Sequence, residues 1–299
     1  MAPESRRCRW EQWGRPVRSR VPLATEPAML PQTASRSTGG DTAVERPLAG
    51  PGRSAERTTR PARPAGEDRE AASALRDRQQ ASLRAAVDLA LAEGVDAVVI
   101  AGDLFDDNTV SARTVGFAVA ELERLAAGRI PVVLLPGDHD AYTRSSVYRA
   151  HDLPALVGPT LTVLTPDRPW VHLESLDAVV VGLAELTGSE TLGDLGGLEL
   201  LPAATWRIGL LHAAVGDGPG EVSPGSLEKS GVDAVLLGHA HVAASGRAGK
   251  LVWAAAGAPE QVAADRDKPG TVNLVTLDEV AGAKHVAVET RVVGSTRHL

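Results

Sequence analysis

Residues 97–108 read Ala-Val-Val-Ile-Ala-Gly-Asp-Leu-Phe-Asp-Asp-Asn, and this stretch indicates the fold. Its first five residues form a short, unbroken apolar run, which is typical of a parallel strand buried on both faces. The polar residues after Ala101 come where the strand ends, at the sheet edge where α/β proteins collect ligand-binding groups. The stretch therefore predicts a buried parallel strand followed by a loop suited to ligand binding.

The sequence on either side of this stretch predicts alternating helices and strands. Upstream, an apolar helix face ends at Gly94, where a left-handed cap is expected. Downstream, a second helix face ends at Gly128 and is followed by another buried strand, from Ile130 to Leu135. This alternation is typical of βαβ units with a mostly parallel sheet. The two predicted helix faces are formed by Leu83, Val87, Ala90 and Leu91, and by Val115, Val119, Leu122 and Ala126.

Beyond Leu161 the pattern changes from helices to strands. Loops rich in Gly and Pro separate the apolar runs, as is typical of strands joined by turns. We predict an α/β fold with two stacked mixed β-sheets flanked by helices. The predicted strands of this part are Leu161 to Leu164, Val171 to Leu173, Ala178 to Gly182, Trp206 to Leu211, Ala234 to Leu237, Leu251 to Ala254, Thr271 to Leu277 and Val286 to Val293.

The composition of the 299 residues is that of an ordinary globular protein, with 43% hydrophobic and 23% charged residues. No apolar run approaches the ~18 residues that a membrane span requires, and no secretory signal is evident. The sequence therefore predicts no membrane segment and a cytoplasmic location. Cys8 is the only cysteine, which excludes a disulfide framework and any multi-cysteine metal site.

The first 65 residues differ from the rest of the chain. They are rich in arginine, carry a positive net charge and hold nine of the 20 prolines, whereas the whole chain has a net charge of -7. Without a helical or strand period, such a segment cannot bury enough apolar surface to fold. We predict a disordered leader over residues 1–65 and one folded domain over 66–299. A nucleic-acid-binding arm is one explanation of the leader, and a frame-shifted or misplaced start is our hypothesis.

Four predicted strand ends carry polar motifs. They are Gly102–Asn108, Gly137–Asp140, the single His212, and Gly238–His241, and they hold four of the eight histidines. Singly, each is ambiguous, because Gly-Asp is more often a turn or helix cap and a lone histidine is more often a buried structural residue. In an extended segment His239 and His241 would face one cavity. Their joint occurrence at successive strand ends predicts a site with carboxylate and imidazole ligands for metal.

The order of these motifs resembles the calcineurin-like metallophosphoesterases, and among them the DNA-repair exonuclease branch typified by bacterial SbcD. That family carries, in order, Asp-x-His, Gly-Asp-x-x-Asp/Asn, Gly-Asn-His-Asp/Glu, a lone His and Gly-His-x-His. The last four occur here, and Ala256–Glu260 also looks like that branch. The resemblance covers roughly residues 67–293. It implies a four-layer α/β/β/α fold and metal-dependent phosphodiester hydrolysis.

The resemblance also implies two divalent cations, usually manganese in this branch, and their ligands. Asp103 is similar to the carboxylate that bridges the two ions. Asp138, His212 and His239 match the other ligands of the second ion, and His241 matches a ligand of the first. Paired cations of this kind polarise the phosphoryl group and lower the pKa of a bridging water, which attacks in line as hydroxide.

Two further residues have catalytic counterparts in the family. His139 corresponds to the histidine that stabilises the scissile phosphate and protonates the leaving oxygen. Asp140, the next residue, is expected to orient His139. Both roles are implied by the resemblance and by position within the Gly137–Asp140 motif.

The chain departs from the family pattern at two points. Asp138 stands where the family usually has asparagine, which adds negative charge that should blunt Lewis acidity and repel phosphate. No Asp-x-His occurs before Gly102, so the first ion keeps only Asp103 and His241. Since that motif ends the first strand in the family, we expect the first strand to be missing from the sheet.

The resemblance implies DNA or another phosphodiester as substrate and an SbcC-like ATPase as a possible partner. Only a few residues follow the last predicted strand, so we expect neither a capping domain nor the segment that docks the ATPase. Three hypotheses follow. The leading one is a two-metal phosphodiesterase of the DNA-exonuclease type. The alternatives are a metallophosphoesterase for a small molecule or nucleotide, and a catalytically impaired remnant that binds one ion.

Overall fold

The fold is built on two six-stranded β-sheets packed face to face. The computed structural model describes residues 18–24, 65–183, 201–218, 220–260 and 270–294. The first sheet has the strand order β12-β11-β1-β2-β3-β4, and the second has the order β5-β6-β7-β8-β10-β9. Both sheets mix parallel and antiparallel pairs. The described strands are β1 (Arg18–Ala24), β2 (Val98–Ala101), β3 (Val132–Leu135), β4 (Leu161–Val163), β5 (Trp170–Leu173), β6 (Ala178–Leu183), β7 (Trp206–Leu211), β8 (Ala234–Leu237), β9 (Ala244–Ala248), β10 (Leu251–Ala255), β11 (Thr271–Val280) and β12 (Ala283–Val292).

Helices cover the outer faces of the sheets. The two long helices end near the predicted glycines, since Gly94 has φ +58 and the N–H of Gly128 caps the last turn of its helix. Within the described part of the chain, no helix combines the length and apolar character needed to cross a membrane. The described helices are α1 (Ala65–Glu93), α2 (Ala112–Ala127), α3 (Val147–Ala150), α4 (Leu153–Val157) and α5 (Pro224–Lys229).

The short apolar strand β2 shows how the layers are assembled. Val98 and Ile100 point to one side of the sheet and lie in a cluster with Leu83 of α1 and Leu122 of α2. Successive strand residues point to opposite faces, so Val99 lies on the other side, in the cluster between the two sheets. Burial on both faces explains why this strand has no polar alternation.

The second sheet repeats this arrangement. Ile208 of β7 and Leu236 of β8 pack toward the first sheet, whereas Val235 and Leu237 pack in an outer cluster with Leu227 of α5. The layers therefore run helix, sheet, sheet, helix. The predicted class, α/β with two stacked mixed sheets flanked by helices, is confirmed.

Strand β1 corrects the prediction for the start of the chain. Arg18–Ala24 forms a strand that pairs antiparallel with β11 and parallel with β2, with Leu23 opposite Val99. The expectation of a missing first strand is therefore wrong, and so is the prediction of disorder for these seven residues. Without β1, the facing edges of β2 and β11 would keep unpaired main-chain groups, and pairing these groups does not require an apolar period. The rest of the predicted leader, residues 1–17 and 25–64, lies outside the described residues.

Strand β9 and the three short helices are the other elements that the sequence did not predict. β9, Ala244–Ala248, contains Gly246 and Arg247 and is largely exposed at a sheet edge, so it carries no apolar run. Its backbone pairs antiparallel with β10 across a tight turn at Gly249, where φ is +59. A hairpin of this kind is determined by its turn and its partner strand rather than by side-chain pattern.

Candidate metal centre

The polar motifs meet at one edge of the two sheets. Strands β2, β3, β7 and β8 are linked through parallel pairs within their sheets, so the residues that follow their carboxyl ends share an edge. There they line a cleft of about 440 Å³ that contains Asp103, His139, His239 and His241. The sequence prediction that these motifs lie together agrees with this placement.

Three predicted ligands form a close group at this cleft. Nε2 of His212 lies 2.6 Å from Oδ1 of Asp138, and Nδ1 of His239 lies 3.4 Å from the same oxygen. One ligand atom from each residue lies within 4.8 Å of the other two. A carboxylate and two imidazoles at this spacing suit a divalent cation such as Zn²⁺ or Mn²⁺.

His212 is held in the orientation that a metal ligand requires. Its Nδ1–H donates to the carbonyl oxygen of Ala101 at 2.8 Å, which leaves Nε2 facing Asp138 and Asp103, the latter at 3.2 Å. A ligating histidine normally donates its other ring N–H to a carbonyl or carboxylate in this way. The donor set and its orientation therefore fit a divalent cation bound at Nε2.

The carboxylates around His212 change its acid–base behaviour in the metal-free protein. Burial alone would lower the pKa of His212, but hydrogen bonds with Asp103 and Asp138 outweigh burial and raise the pKa to about 10. The same contact has the opposite effect on its partner, because the hydrogen bond with His212 lowers the pKa of Asp138 against the effect of burial. The metal-free site therefore holds a proton where the cation would bind.

Asp103 is the most tightly constrained residue of the site. It is buried, and its φ of 51 lies in the left-handed region that non-glycine residues rarely adopt. The backbone N–H of His139 donates to its Oδ1 at 2.9 Å. A Cβ on Gly137 would lie 2.0 Å from the same oxygen. Backbone strain of this kind clusters at functional sites, and here it turns the Asp103 carboxylate toward Asp138 and His139.

His139 lies at the mouth of the cleft and is half exposed. Its Nδ1–H donates to the carbonyl oxygen of Asp106 at 3.1 Å, and the Asp106 carboxylate is 3.7 Å away. Nε2 is then the ring nitrogen available to a ligand. Burial lowers the pKa of His139, but the charge of Asp103 and the carbonyl contact with Asp106 outweigh it and leave the pKa above its usual value. Sequence reasoning missed this contact, although Asp106 belongs to the quoted Gly-Asp-x-x-Asp motif.

Asp140 does not orient His139, which corrects the role expected for it. Its side chain is fully buried and accepts hydrogen bonds from the backbone of Gly137 at 2.6 Å and of Phe105 at 3.1 Å. The hydroxyl of Tyr148 donates to it as well. Burial raises the pKa of Asp140 to about 6, against the lowering effect of these hydrogen bonds. Asp140 therefore fastens the loop after β3 to the loop after β2, with Tyr148 as a partner that the sequence did not reveal.

His241 lies in the cleft but outside the tight groups. The described residues form two possible ligand groups, Asp138 with His212 and His239, and Asp103 with Asp138 and His139, and neither includes His241. His239 and His241 both line the cleft, as predicted, although the prediction assumed an extended backbone. His239 instead has φ 68, and Ala240 donates its N–H to the carbonyl of Gly238 at 2.8 Å. The backbone turns here, so the alternation of an extended strand does not apply.

The pKa of His212 leads to a prediction about metal binding. Because an imidazole must be neutral to bind a cation, uptake of Mn²⁺ should release about one proton, and the affinity should rise about tenfold per pH unit between pH 7 and 9. Calorimetric titration of the metal-free protein in buffers of different ionisation enthalpy measures the proton count. An affinity that does not change with pH would contradict the prediction. His285→Gln, which removes an exposed histidine of β12, should leave the slope unchanged.

The same pKa shift makes the stability of the metal-free fold depend on pH. Because the pKa of His212 is raised from 6.5 to about 10, its contribution to the free energy of unfolding is fully present below pH 6.5. That contribution is lost as the pH rises through about 10.

Comparison with known proteins identifies relatives of the chain. A family model described as calcineurin-like phosphoesterase matches residues 74–243. A DNA double-strand break repair protein Mre11 from Saccharolobus solfataricus is 30% identical over 161 residues, which cover 52% of this chain and 41% of that protein. A Bacillus subtilis protein, described as the uncharacterized metallophosphoesterase YhaO, is 26% identical over 166 residues, covering 54% of this chain and 40% of that protein. The chain thus spans about two-fifths of these relatives.

A solved structure shares the fold. The crystal structure of TT1561 of Thermus thermophilus aligns with a TM-score of 0.53 and 16% identity, covering 92% of this chain and 99% of that one. At this identity the match concerns the fold alone.

Proposed function

Since this chain belongs to the calcineurin-like phosphoesterase family, we propose that it is a metal-dependent phosphodiesterase that acts on DNA ends. The family matches more than half of the chain, and phosphate ester hydrolysis is the activity that the family name describes. The specific substrate is suggested by the relative named for DNA double-strand break repair. The observation that carries the proposal is the convergence of Asp103, Asp138, His212 and His239 beside His139 in one cleft.

The residues of this cleft would have different roles in the proposed hydrolysis. Asp138, His212 and His239 would hold a divalent cation, which we propose to be Mn²⁺, and the Asp103 carboxylate is 3.2 Å from Nε2 of His212. When bound, divalent cations supply Lewis acidity toward a phosphate oxygen and toward water. The carbonyl of Asp106 fixes the ring of His139. Asp140 holds the loops that carry His139 and Asp103 in register.

His139 is the residue that would donate the proton to the leaving oxygen. In a phosphodiester hydrolysis the water oxygen forms a bond to phosphorus while the bond to the leaving oxygen breaks, and that oxygen needs a proton. Nε2 of His139 is the ring nitrogen that does not contact Asp106, and the raised pKa of His139 keeps more of it protonated. General acid catalysis by a positioned histidine accelerates such steps by ~10² to 10⁴-fold.

A second cation would need ligands beyond the group of Asp138, His212 and His239. Of the ligands that the family resemblance implies, Asp103 and His241 would remain for it, because Asp138, His212 and His239 form the other group. Counting the bound metal separates the hypotheses. Two Mn²⁺ per chain with hydrolysis of bis-p-nitrophenyl phosphate support the two-metal enzyme. One ion without turnover would mean that the chain is a catalytically impaired remnant.

The substrate is tested with matched DNA and small-molecule assays. We expect the Mn²⁺-loaded protein to release nucleotides from a labelled duplex end, and a chelator to stop this release. The paired assays use bis-p-nitrophenyl phosphate and a nucleotide phosphodiester at equal phosphate concentration. Turnover of the small esters without any release from DNA would overturn the DNA part of the proposal and favour a small-molecule phosphodiesterase.

A further inference from the structure

A second cavity lies at the edge of the sheets opposite the metal centre. Its volume is about 420 Å³, close to that of the catalytic cleft at about 440 Å³. It is bounded by the residues before β8, by the β9–β10 hairpin and by the start of β12. The residues that line it are Val232, Asp233, Arg247, Lys250, Leu251, Val252, Gly282, Ala283, Lys284 and Val286.

Strand β8 separates this cavity from the metal centre. Asp233 precedes the strand and lines the cavity, while His239 follows it and lines the cleft. The four residues of β8 span ~13 Å at the usual rise of a strand. The two cavities therefore do not share a wall, and a ligand in one is not in contact with the other.

The cavity is positively charged in a protein whose net charge is -7. Three cationic side chains and one carboxylate line it. Lys284 is paired with both oxygens of Asp233 at 2.9 Å and lies 5.3 Å from the ring of Trp206, which fixes its position. Within the described part of the chain, Arg247 and Lys250 form no ion pair. Two of the three cations on the walls of this cavity are thus outside the described ion pairs.

The remaining walls strengthen the attraction for an anion. Val232, Leu251, Val252 and Val286 provide apolar surface beside the cations. Charges next to apolar walls are less screened than charges in open solvent, so an anion held here interacts more strongly. A guanidinium presents a fork of N–H groups that matches phosphate, and an ammonium adds a compact point charge. We infer that this cavity binds a small phosphate-bearing polyanion between Arg247, Lys250 and Lys284.

The surroundings favour a small anion over a nucleic acid. The three basic residues are exposed but line one concavity, whereas a duplex needs cations spread over an open surface. The carboxylate of Glu228 lies close to the turn at Gly249, where a Cβ would be 2.5 Å from its Oε1, and it does not line the cavity. This negative charge at the rim would repel an extended polyanion that continued beyond the cavity.

The test uses pyrophosphate and the metal-free full chain. Calorimetric titration should show one pyrophosphate bound per chain, and the double variant Arg247→Gln, Lys250→Gln should weaken the affinity at least tenfold. Arg129→Gln is the matched control, because Arg129 is an exposed arginine at the same end of the sheets that does not line the cavity. It should bind pyrophosphate like the wild-type protein.

Two results would overturn the inference. One is wild-type protein that fails to bind pyrophosphate, or a double variant that binds it equally well, since the ligand would then be absent or elsewhere. The other is displacement of pyrophosphate by a DNA oligonucleotide at the same phosphate concentration, which would make this surface a nucleic-acid contact. Neither result depends on the phosphodiesterase activity, so neither result tests the proposed function.

Discussion

Replacing Gly238 with alanine should remove the bound cation and lower phosphodiesterase activity by at least ~10²-fold. A Cβ at this position would lie 1.8 Å from the carbonyl oxygen of Ala101 and 2.8 Å from Nδ1 of His212. These are the two atoms whose hydrogen bond orients the imidazole. The methyl group must therefore push β8 away from β2 or rotate His212, and a displacement of about 1 Å in a catalytic group costs ~10²-fold in rate.

Gly116→Ala is the control for this substitution. Gly116 lies within α2, and a Cβ there would meet nothing within 4 Å. Alanine should stabilise the helix by about 0.5 to 1 kcal/mol and leave metal content and activity unchanged. Elemental analysis, thermal unfolding and hydrolysis of bis-p-nitrophenyl phosphate measure the three quantities. If Gly238→Ala kept its metal and activity, the close approach of β8 to β2 would not matter for the site.

Replacing His139 with alanine should abolish most turnover while the cation stays bound. We expect a loss of ~10² to 10⁴-fold in kcat, which is the usual contribution of a positioned general acid. Metal should remain, because Asp138, His212 and His239 form a ligand group without His139. The folded state should also be unaffected, since the side chain is half exposed and its ring hydrogen-bonds to the main chain of Asp106 at the mouth of the cleft.

The metal content of this variant decides between two roles. His139 also belongs to a second possible ligand group with Asp103 and Asp138. If His139→Ala lost a cation together with its activity, the residue would be a metal ligand rather than the general acid. His285→Ala removes an exposed histidine from β12 and should change neither measurement.

The parts of the fold that follow from local pattern were predictable. Val98 to Ile100 and Val132 to Leu135 are buried on both faces, and their continuous apolar sequence indicates this. The resemblance to the calcineurin-like metallophosphoesterases, which depends on motif order, is confirmed by the match of the family model. Motif order also predicted which loops meet, because the loops follow strands that lie side by side.

The orientation of individual side chains within those loops was harder to predict. Asp140 directly follows His139, so we expected it to orient that histidine. The chain turns instead, and the Asp140 carboxylate accepts hydrogen bonds from the backbone N–H groups of Gly137 and Phe105. His239 and His241 were expected to face one cavity and both line the cleft, but His239 has a left-handed φ rather than the extended backbone that the prediction assumed. Both differences concern backbone conformation in a turn, where contacts across strands outweigh the spacing of residues along the chain.

Strand β1 shows that a central position in a sheet can be filled by a segment whose sequence lacks the period of a strand. It contains Pro22, which lies opposite Leu274 of β11 and has no N–H to donate to the ladder. The slot between β2 and β11 is filled through main-chain pairing with both neighbours. A chain that begins at α1 would lack β1 and leave this slot open. We expect that a separate synthetic strand could then fill the slot in trans.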